Sequence, residues 1–290
     1  MTGRNVIITG ANSGIGRAAA RALAGAGAHV VLAVRATDKG ETAAAAMPGE
    51  TEVRRLDLAS LASVRAFAAG WDGDIDLLIN NAGVMAPPLS RTAEGFELQF
   101  GTNHLGHFAL SNLLLEHVTG RVVTVSSTGH RMGRIDFEDL NWERKPYRAW
   151  RAYGQSKLAN LLFTAELQRR LTAAGSTVLA TAAHPGYAAT NLQFHSGRRV
   201  LDVLSAVGNR VVAQDEDGGA LPTLYAATAD IPGNSFAGPE GFMEQRGPAK
   251  LVGRSSAAKD SDVARRLWDV SEELTGIRFP LAATTAGVAA

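Results

Sequence analysis

The chain has 290 residues, of which 46% are hydrophobic and 20% are charged, and its formal net charge is +1. This balance is typical of a globular protein and lacks the basic surface of a nucleic-acid-binding protein. The chain has no cysteine, which excludes disulfides, thiolate metal sites and thiol catalysis.

The sequence also bears on where the protein resides. No uninterrupted apolar run approaches the roughly 18 residues that a membrane span needs. The first predicted strand begins at Asn5, which leaves no room for a signal peptide. We therefore expect a cytoplasmic protein that neither spans a membrane nor binds nucleic acid.

Short apolar runs alternate along the chain with stretches long enough for a helix. The runs are Asn5–Thr9, His29–Val34, Glu52–Leu56, Ile75–Ile79, Arg121–Ser126 and Thr177–Ala183. Because they are continuously apolar, they predict strands that are buried on both faces of a parallel sheet. The predicted fold is α/β, a doubly wound parallel sheet of about seven strands with helices on both faces.

The intervening segments complete the predicted organisation. Helices are predicted at Arg17–Ala28, Glu41–Met47 and Ala152–Leu171, and a polar, aromatic excursion is predicted between Gly129 and Ala152. Residues 190–217 are predicted to form a lid-like, helical segment. We expect one domain over residues 1–280 and a loose tail over residues 281–290.

A glycine-rich turn follows the first predicted strand and reads Thr9-Gly10-Ala11-Asn12-Ser13-Gly14-Ile15-Gly16. Gly10 can adopt backbone angles that are closed to other residues, Gly14 lets the main chain approach a ligand, and Gly16 lets the next helix pack closely on the sheet. The helix start presents unbonded N–H groups and a positive dipole end. The turn therefore predicts a phosphate site, although its spacing differs from the common G-x-G-x-x-G pattern.

Tyr153 and Lys157 lie one turn apart at the start of the helix predicted over Ala152–Leu171, so both side chains project from one face. An ammonium about 4 Å from a phenolate is worth about 4 kcal/mol at an effective dielectric near 20, which would lower the tyrosine pKa toward neutrality. The pair then suits general acid–base catalysis. Taken alone, the same spacing also fits an ordinary pair on a helix surface.

Three polar features accompany this pair. Ser126 and Ser127 end a buried strand, where simple capping is the alternative role, and Asn103 lies inside a helical pattern that asparagine does not favour. His104 and His107 share a helix face, but the chain has neither a H-E-x-x-H pattern nor an aligned set of carboxylates. We therefore expect no catalytic metal.

Taken in order, these motifs resemble those of the short-chain dehydrogenase/reductase family. They are Thr9 to Gly16, Asn80-Asn81-Ala82-Gly83, Asn103, Ser127, Tyr153-x-x-x-Lys157 and Pro185-Gly186. The resemblance covers about Asn5 to Thr190 and implies a Rossmann fold. Asn103-His104-Leu105-Gly106-His107-Phe108 and Ser156-Lys157-Leu158-Ala159-Asn160 look most like the retinol dehydrogenase, protochlorophyllide reductase and WW-domain oxidoreductase branch.

The resemblance implies roles for four residues. Tyr153 is expected to donate a proton in carbonyl reduction and to accept it in alcohol oxidation, while Ser127 holds the substrate oxygen. Lys157 is expected to lower the pKa of Tyr153 and to hold the nicotinamide ribose. Asn103 is expected to bend its helix and fix a water that relays protons from Lys157.

The resemblance also implies a nicotinamide cofactor. The expected contacts are Gly10, Asn12, Ser13, Gly14, Ile15, Gly16, Asp57, Leu58, Asn81, Ala82, Gly83, Tyr153, Lys157, Pro185, Gly186 and Thr190. Position 34, where an acidic residue would bind the ribose of NAD, is Val34, and Arg35 and Lys39 offer positive charge for a 2′-phosphate. NADP(H) is therefore preferred to NAD(H).

The sequence predicts an NADP-dependent oxidoreductase that interconverts a carbonyl and an alcohol, with a small and fairly apolar substrate. One alternative is a regulatory or scaffold protein that senses NADP without turnover. Another is a sugar-nucleotide epimerase or dehydratase, which Arg35 and the lack of an obvious C-terminal substrate domain disfavour. Many relatives pair through the helix that carries Tyr153, which would give a homodimer, whereas the excursion before it could cover that surface and leave a monomer.

Overall fold

A computed structural model describes residues 1–186 and 215–281. Within them a single sheet has the order β3-β2-β1-β4-β5-β6-β7-β8, and all neighbours are parallel except β7 and β8. The strands are β1 Asn5–Thr9, β2 His29–Val34, β3 Thr51–Arg55, β4 Ile75–Asn80, β5 Val118–Val125, β6 Leu179–Ala183, β7 Phe236–Pro239 and β8 Ala249–Leu251. The chain reverses direction across the sheet between β1 and β4, where doubly wound sheets bind ligands.

Helices cover both faces of this sheet. They are α1 Gly14–Gly25, α2 Thr37–Ala45, α3 Leu61–Ala69, α4 Leu98–Phe100, α5 Gly106–Leu114, α6 Ala149–Ala173, α7 Glu216–Thr228 and α8 Ser261–Thr275. A π-helix, Gly101–Leu105, joins α4 to α5, and short 3₁₀ turns lie at Leu115–His117, Thr128–Met132, Phe242–Glu244 and Ala257–Lys259.

The core has two main layers because successive side chains of a strand point to opposite faces. Ile7 of β1 packs with buried residues of α3, α5, α6 and α8, such as Phe108 and Trp268. Val6 and Ile8 pack on the other face against the small side chains of α1, α2 and α7. The alanine-rich helices thus lie close to the sheet, and the predicted doubly wound architecture is confirmed.

The structure corrects several details of the prediction. β3 is an edge strand whose residues are half-buried or exposed, so it is not buried on both faces as predicted, because no strand of the described residues pairs on its outer side. The sheet has eight strands in the described residues. No apolar run in the sequence predicts the antiparallel β8. The first helix begins at Gly14 rather than Arg17, because the last glycines of the turn already belong to it.

The predicted excursion packs back onto the protein, with Ile135 and Leu140 buried beside Leu158 of α6. Of the predicted lid, residues 190–214 lie outside the described residues, and Glu216 and Asp217 begin α7. Residues 282–290 of the predicted tail also lie outside them. Among residues 1–186 and 215–281, no helix combines the length and apolar character that crossing a bilayer requires.

Candidate active site

The glycine turn after β1 is shaped by backbone constraints. Gly10 and Gly14 have φ values of +67° and +57°, in the left-handed region that favours glycine. A Cβ on Gly16 would lie 2.3 Å from Asn81 Nδ2 and 2.7 Å from the Gly10 carbonyl oxygen. Close packing at the turn therefore requires glycine at position 16.

The start of α1 offers a site for an anion. Ser13 is extended and its side chain makes no capping hydrogen bond, and the first turn of α1 has no acidic residue. The first N–H groups of a helix have no partner within it, and they lie at the positive end of the helix dipole. A phosphate at this position would find donors and a favourable potential.

Thr9 joins the glycine turn to the turn after β4. Its Oγ1 accepts hydrogen bonds from the backbone N–H groups of Asn81 and Ala82, both at 2.9 Å. Asn81 Nδ2 in turn donates to the Thr9 carbonyl at 2.8 Å. Both turns are therefore held in one arrangement, as we expect of adjacent strand ends that line the same cavity.

A cavity of about 390 Å³ lies at these strand ends, within the roughly 300–1,000 Å³ typical of small-molecule sites. The predicted residues that line it are Gly10, Asn12, Ser13, Gly14, Ile15, Gly16, Arg35, Asp57, Leu58, Asn81, Ala82, Gly83, Tyr153, Lys157 and Pro185. Its lining also includes Thr102, Val84 and Met85. Residues as far apart in the chain as Gly10 and Pro185 thus meet at one cavity.

Four of the predicted residues that the structure describes do not line this cavity: Lys39, Asn103, Ser127 and Gly186. Arg35 is exposed and lies at its edge directly after β2, whereas Lys39 is exposed in α2 and is not among the lining residues. Three of the four directly follow a lining residue in the chain: Asn103 follows Thr102, Ser127 follows Ser126, and Gly186 follows Pro185. Thr190 lies outside the described residues.

Ser127 rather than Ser126 faces Tyr153. The hydroxyl of Ser126 is buried and donates to the Lys157 carbonyl at 2.7 Å. Ser127 Oγ accepts from Gly129 N at 3.1 Å and hydrogen-bonds with the Tyr153 phenol. The structure therefore brings the Ser127 hydroxyl and the Tyr153 phenol together.

Burial governs the ionisation of Tyr153 and Lys157. It raises the pKa of the Tyr153 phenol, which the hydrogen bond with Ser127 partly opposes, and it lowers the pKa of the Lys157 ammonium to about 8. Lys157 Nζ lies 5.7 Å from the centroid of the Tyr153 ring and donates to the Val125 carbonyl at 3.1 Å. The pKa of Tyr153 is therefore raised rather than lowered, and the largest cause is desolvation of the phenolate.

Asn103 lies in the π-helix between α4 and α5, which interrupts the regular α-helical turns. Its side chain accepts from Val84 N at 2.8 Å and donates to Val84 O and to Ser156 Oγ, both at 2.9 Å. Asn103 therefore ties the segment that follows Gly83 to the helix that carries Tyr153.

Pro185 and Gly186 follow β6, and Gly186 has a φ of +70°. The buried His184 holds this turn: its Nδ1 accepts from Gly186 N at 3.2 Å, and its Nε2 donates to Glu244 Oε2 at 3.0 Å. Because Gly186 N can only donate, the proton of the neutral imidazole resides on Nε2.

Comparison with known proteins decides the family. Residues 4–139 match the family model described as short chain dehydrogenase. Human retinol dehydrogenase 13 is 43% identical over 96% of this chain and 86% of that protein, and human retinol dehydrogenase 12 is 42% identical over 96% of this chain and 88% of that protein. The chain belongs to the short-chain dehydrogenase family.

Solved structures show how this short-chain dehydrogenase compares in shape. A crystal structure of an uncharacterised protein from Mycobacterium paratuberculosis is 55% identical with a TM-score of 0.85, covering 97% of this chain and 96% of that one. A second, from Beutenbergia cavernae, is 27% identical with a TM-score of 0.58 and covers 79% of this chain and 90% of that one. Its description names an NAD(P)-dependent gluconate 5-dehydrogenase with bound NADP at low occupancy.

Membership of the family settles the broad activity. This short-chain dehydrogenase is an NAD(P)-dependent oxidoreductase that acts on CH–OH groups, and within the family it resembles the retinol dehydrogenases. In the described part of the chain, no three His, Asp or Glu side chains cluster in a way that could hold a metal ion.

Sequence reasoning missed two residues of the dehydrogenase's site. The motif of the glycine turn includes Thr9 but assigns it no role. Its position, a hydroxyl at the buried end of a strand, was the signal that it could hydrogen-bond to a neighbouring turn. His184 directly precedes Pro185-Gly186, but nothing in the pattern pointed to Glu244 as its partner, because the two residues lie 60 positions apart.

Proposed function

We propose that this short-chain dehydrogenase uses NADP(H) and interconverts aldehydes or ketones with alcohols, with Tyr153 as the proton donor in reduction and the proton acceptor in oxidation. The observation that carries the proposal is the position of Tyr153 and Lys157 at the cavity that the glycine turn also lines. Phosphate donors and a proton donor therefore open onto one space. The retinol dehydrogenases named above support the same class of reaction.

The residues at the cavity fit a dinucleotide. A Cβ on Gly83 would lie 3.1 Å from Asn103 Oδ1 and 3.4 Å from Lys157 Nζ, so glycine leaves room there. Thr102 lines the cavity, and its Oγ1 is buried without a hydrogen-bond partner among the described residues. When bound, the nicotinamide supplies or accepts the hydride.

Each part of the cavity has a proposed share in holding NADP(H). The turn Gly10 to Gly16 would hold the pyrophosphate, Arg35 the 2′-phosphate, and Asp57 and Leu58 the adenine. The turn Asn81 to Gly83 would line the nucleoside, and Lys157 would bind the nicotinamide ribose. Pro185 and Gly186 would hold the carboxamide.

The chemistry of the chain's own residues follows from their surroundings. Ser127 would hold the carbonyl oxygen of the substrate and stabilise the negative charge that develops there. The raised pKa of Tyr153 keeps its proton in place at neutral pH, which suits donation to that oxygen during reduction. Lys157, with a pKa of about 8, is charged at neutral pH and would favour the phenolate that remains.

The substrate is proposed to be small and fairly apolar. Val84 and Met85 line the cavity near the reacting groups, and the ring of Trp150 lies edge-on to that of Tyr153 with centroids 6.2 Å apart. These side chains offer apolar surface to the part of the substrate that surrounds its carbonyl group.

NADPH oxidation with a panel of aldehydes and ketones, in wild-type protein and in Tyr153→Phe, tests the proposal. General acid catalysis contributes roughly 10²–10⁴-fold, so kcat should fall by at least about 100-fold in the variant while NADPH still binds. Tyr225→Phe, at a half-buried tyrosine of α7, is the control and should keep wild-type activity. Equal turnover in Tyr153→Phe would refute the proton-donor role, and NADPH binding without turnover of any carbonyl would favour a regulatory protein.

A further inference from the structure

His107 lies in α5, one turn after Asn103, and is 1% exposed. It is absent from the lining of the cavity, yet both of its ring nitrogens bond to residues around the proposed site. Nδ1 lies 3.0 Å from the Asn103 main-chain oxygen, and Nε2 lies 2.9 Å from Thr9 Oγ1. The ring thus spans the helix that carries Asn103 and the strand that leads into the glycine turn.

The partners of His107 fix its tautomer. The Asn103 carbonyl only accepts, so the ring proton resides on Nδ1 and Nε2 accepts from the Thr9 hydroxyl. Burial lowers the pKa of His107 to about 4, so the ring is neutral near neutral pH. Thr9 Oγ1 then donates to His107 at 2.9 Å, which is nearer than the alternative acceptor, the Ile79 carbonyl at 3.4 Å, and its lone pairs accept from Asn81 N and Ala82 N.

These bonds form a closed circuit through the site. The circuit starts at the Asn103 carbonyl, which accepts from His107, and continues from His107 to Thr9 and from Thr9 to Ala82 N. The backbone then leads from Ala82 to Val84. The Asn103 side chain closes the circuit by hydrogen-bonding to Val84 N and Val84 O. Gly83 lies within the circuit, and a Cβ there would lie 3.4 Å from Lys157 Nζ. A shift of the turn would therefore also move the surroundings of Lys157.

We infer that His107 is a positioning residue that orients the Thr9 hydroxyl and so fixes the spacing between the cofactor turns and the Asn103 helix. The inference rests on the proposed function, because it assigns these turns to NADP(H). His107 touches neither cofactor nor substrate in this scheme. It acts through Thr9 on cofactor affinity and through Asn103 on the rate.

Two conservative variants separate the two bonds. The His107→Asn amide can still donate to the Asn103 carbonyl but is too short to reach Thr9, whereas the longer amide of His107→Gln can accept from Thr9. We expect His107→Asn to raise the dissociation constant of NADPH roughly tenfold, since the buried Thr9 hydroxyl loses its nearer acceptor and keeps only the Ile79 carbonyl at 3.4 Å. His107→Gln should restore affinity to within about threefold of wild type.

His104→Asn is the matched control. His104 lies one turn earlier, is also 1% exposed, and bonds Ser271 of α8 rather than Thr9. We expect this variant to lose thermal stability while binding NADPH within about twofold of wild type, since its bond lies away from both turns. An equal loss of affinity in His104→Asn would overturn the inference.

A double-mutant cycle with Thr9→Val tests whether His107 acts through the Thr9 hydroxyl. If it does, Thr9→Val and Thr9→Val/His107→Asn should share one NADPH dissociation constant. The inference would be overturned if the fold-changes in the dissociation constant of the two single variants multiplied in the double variant, or if His107→Asn kept wild-type affinity and kcat. Either result would leave the proposed function standing. A wild-type protein that binds neither dinucleotide would refute the proposed function and the inference together.

Discussion

Arg35 is the residue on which the proposed preference for NADP(H) over NAD(H) rests. It follows Val34 at the end of β2, at the edge of the cavity and exposed to solvent, and no acidic side chain stands at position 34 to bind a free ribose. A guanidinium there can bind a phosphate with two parallel hydrogen bonds. Lys39, one turn further and outside the lining, is expected to contribute less.

The prediction is that Arg35→Ala raises the KM for NADPH at least about tenfold, since a hydrogen bond to a charged group is worth roughly 1.5–3 kcal/mol, and leaves the KM for NADH nearly unchanged. Steady-state kinetics with both dinucleotides measure the ratio of the KM for NADPH to the KM for NADH. This ratio is its own control, because general damage to the protein would raise both KM values. Lys39→Ala should have a smaller effect. Wild-type protein that uses NADH as well as NADPH would contradict the assignment.

Lys157 links catalysis to stability. Burial lowers its pKa to about 8, so the folded protein carries the cost of a buried ammonium at pH 7, where folded and unfolded chains both bind the proton. Between about pH 8 and 10.5 the unfolded chain holds a proton that the folded chain releases, so this group makes stability rise with pH there.

We therefore expect Lys157→Met to be inactive and yet more stable than wild type at pH 7, by on the order of 3 kcal/mol. The difference should shrink as the pH rises through 8 toward 10.5. Thermal unfolding at pH 7 and pH 10 measures it, with the exposed Lys259→Met as the control that should behave alike at both values. A stabilisation that grows with pH would show that burial does not govern this lysine.

The turn between β1 and α1 is the element on which the proposed cofactor binding depends. A Cβ at position 16 would meet Asn81 Nδ2, which already donates to Thr9 O, and the Gly10 carbonyl. Neither group can retreat without breaking the pairing of the two turns. This explains why glycine is needed there in terms of packing, whereas Gly10 and Gly14 are needed for their positive φ.

Gly16→Ala should lower the free energy of unfolding by about 1–3 kcal/mol, the usual cost of overpacking, and should abolish detectable NADPH binding. Denaturant unfolding and fluorescence titration measure the two effects. Gly253→Ala is the control, because a Cβ there meets no atom within 4 Å. Normal NADPH affinity in Gly16→Ala would mean that the turn tolerates a different spacing and that our account of position 16 is wrong.

Sequence patterns predicted elements well where burial alone determined them. The bounds of β1 and β2 agree with the prediction, since each is an uninterrupted apolar run between turn residues. β7 contains Gly238 and Pro239, and β8 has only three residues, so neither carried a periodic signal. Pairing with β6 and with each other forms them, and a local window does not contain that information.

The same limit applied to the candidate site. Strand order predicted which residues meet, because parallel strands end at one edge of the sheet. The bond between Thr9 and His107 joins positions 98 residues apart, and helical spacing gave no sign of it. The spacing of Tyr153 and Lys157 predicted their proximity, but neither the direction in which the ammonium points nor the extent of burial, which controls the pKa of Tyr153.

At the scale of the whole molecule, the helix that carries Tyr153 is enclosed within a single chain. Every residue from Ala152 to Thr164 is buried. Gln155 Nε2 donates to the Leu140 carbonyl of the excursion, and Phe163 stacks on Trp268 of α8 with centroids 5.7 Å apart. Pairing through this part of α6 would require the excursion or α8 to move away.

We therefore expect a monomer. Light scattering coupled to size-exclusion chromatography should give a mass near the 30.4 kDa of one chain. Trp268→Ala, which removes part of the cover from α6 and should cost about 3–5 kcal/mol of stability, is the variant to compare. A stable wild-type species of twice this mass would show that the protein forms a homodimer through another surface.

The edge strand β3 has a consequence for behaviour at high protein concentration. Its outer backbone groups form a row that a strand from another molecule could extend, which is how sheet proteins aggregate. Arg54 forms an ion pair with Glu52 at 2.6 Å and lies over the Trp71 ring at 4.7 Å. An incoming strand would have to strip water from both charges, so this margin of the sheet resists fibre growth although no strand in residues 1–186 or 215–281 pairs with it.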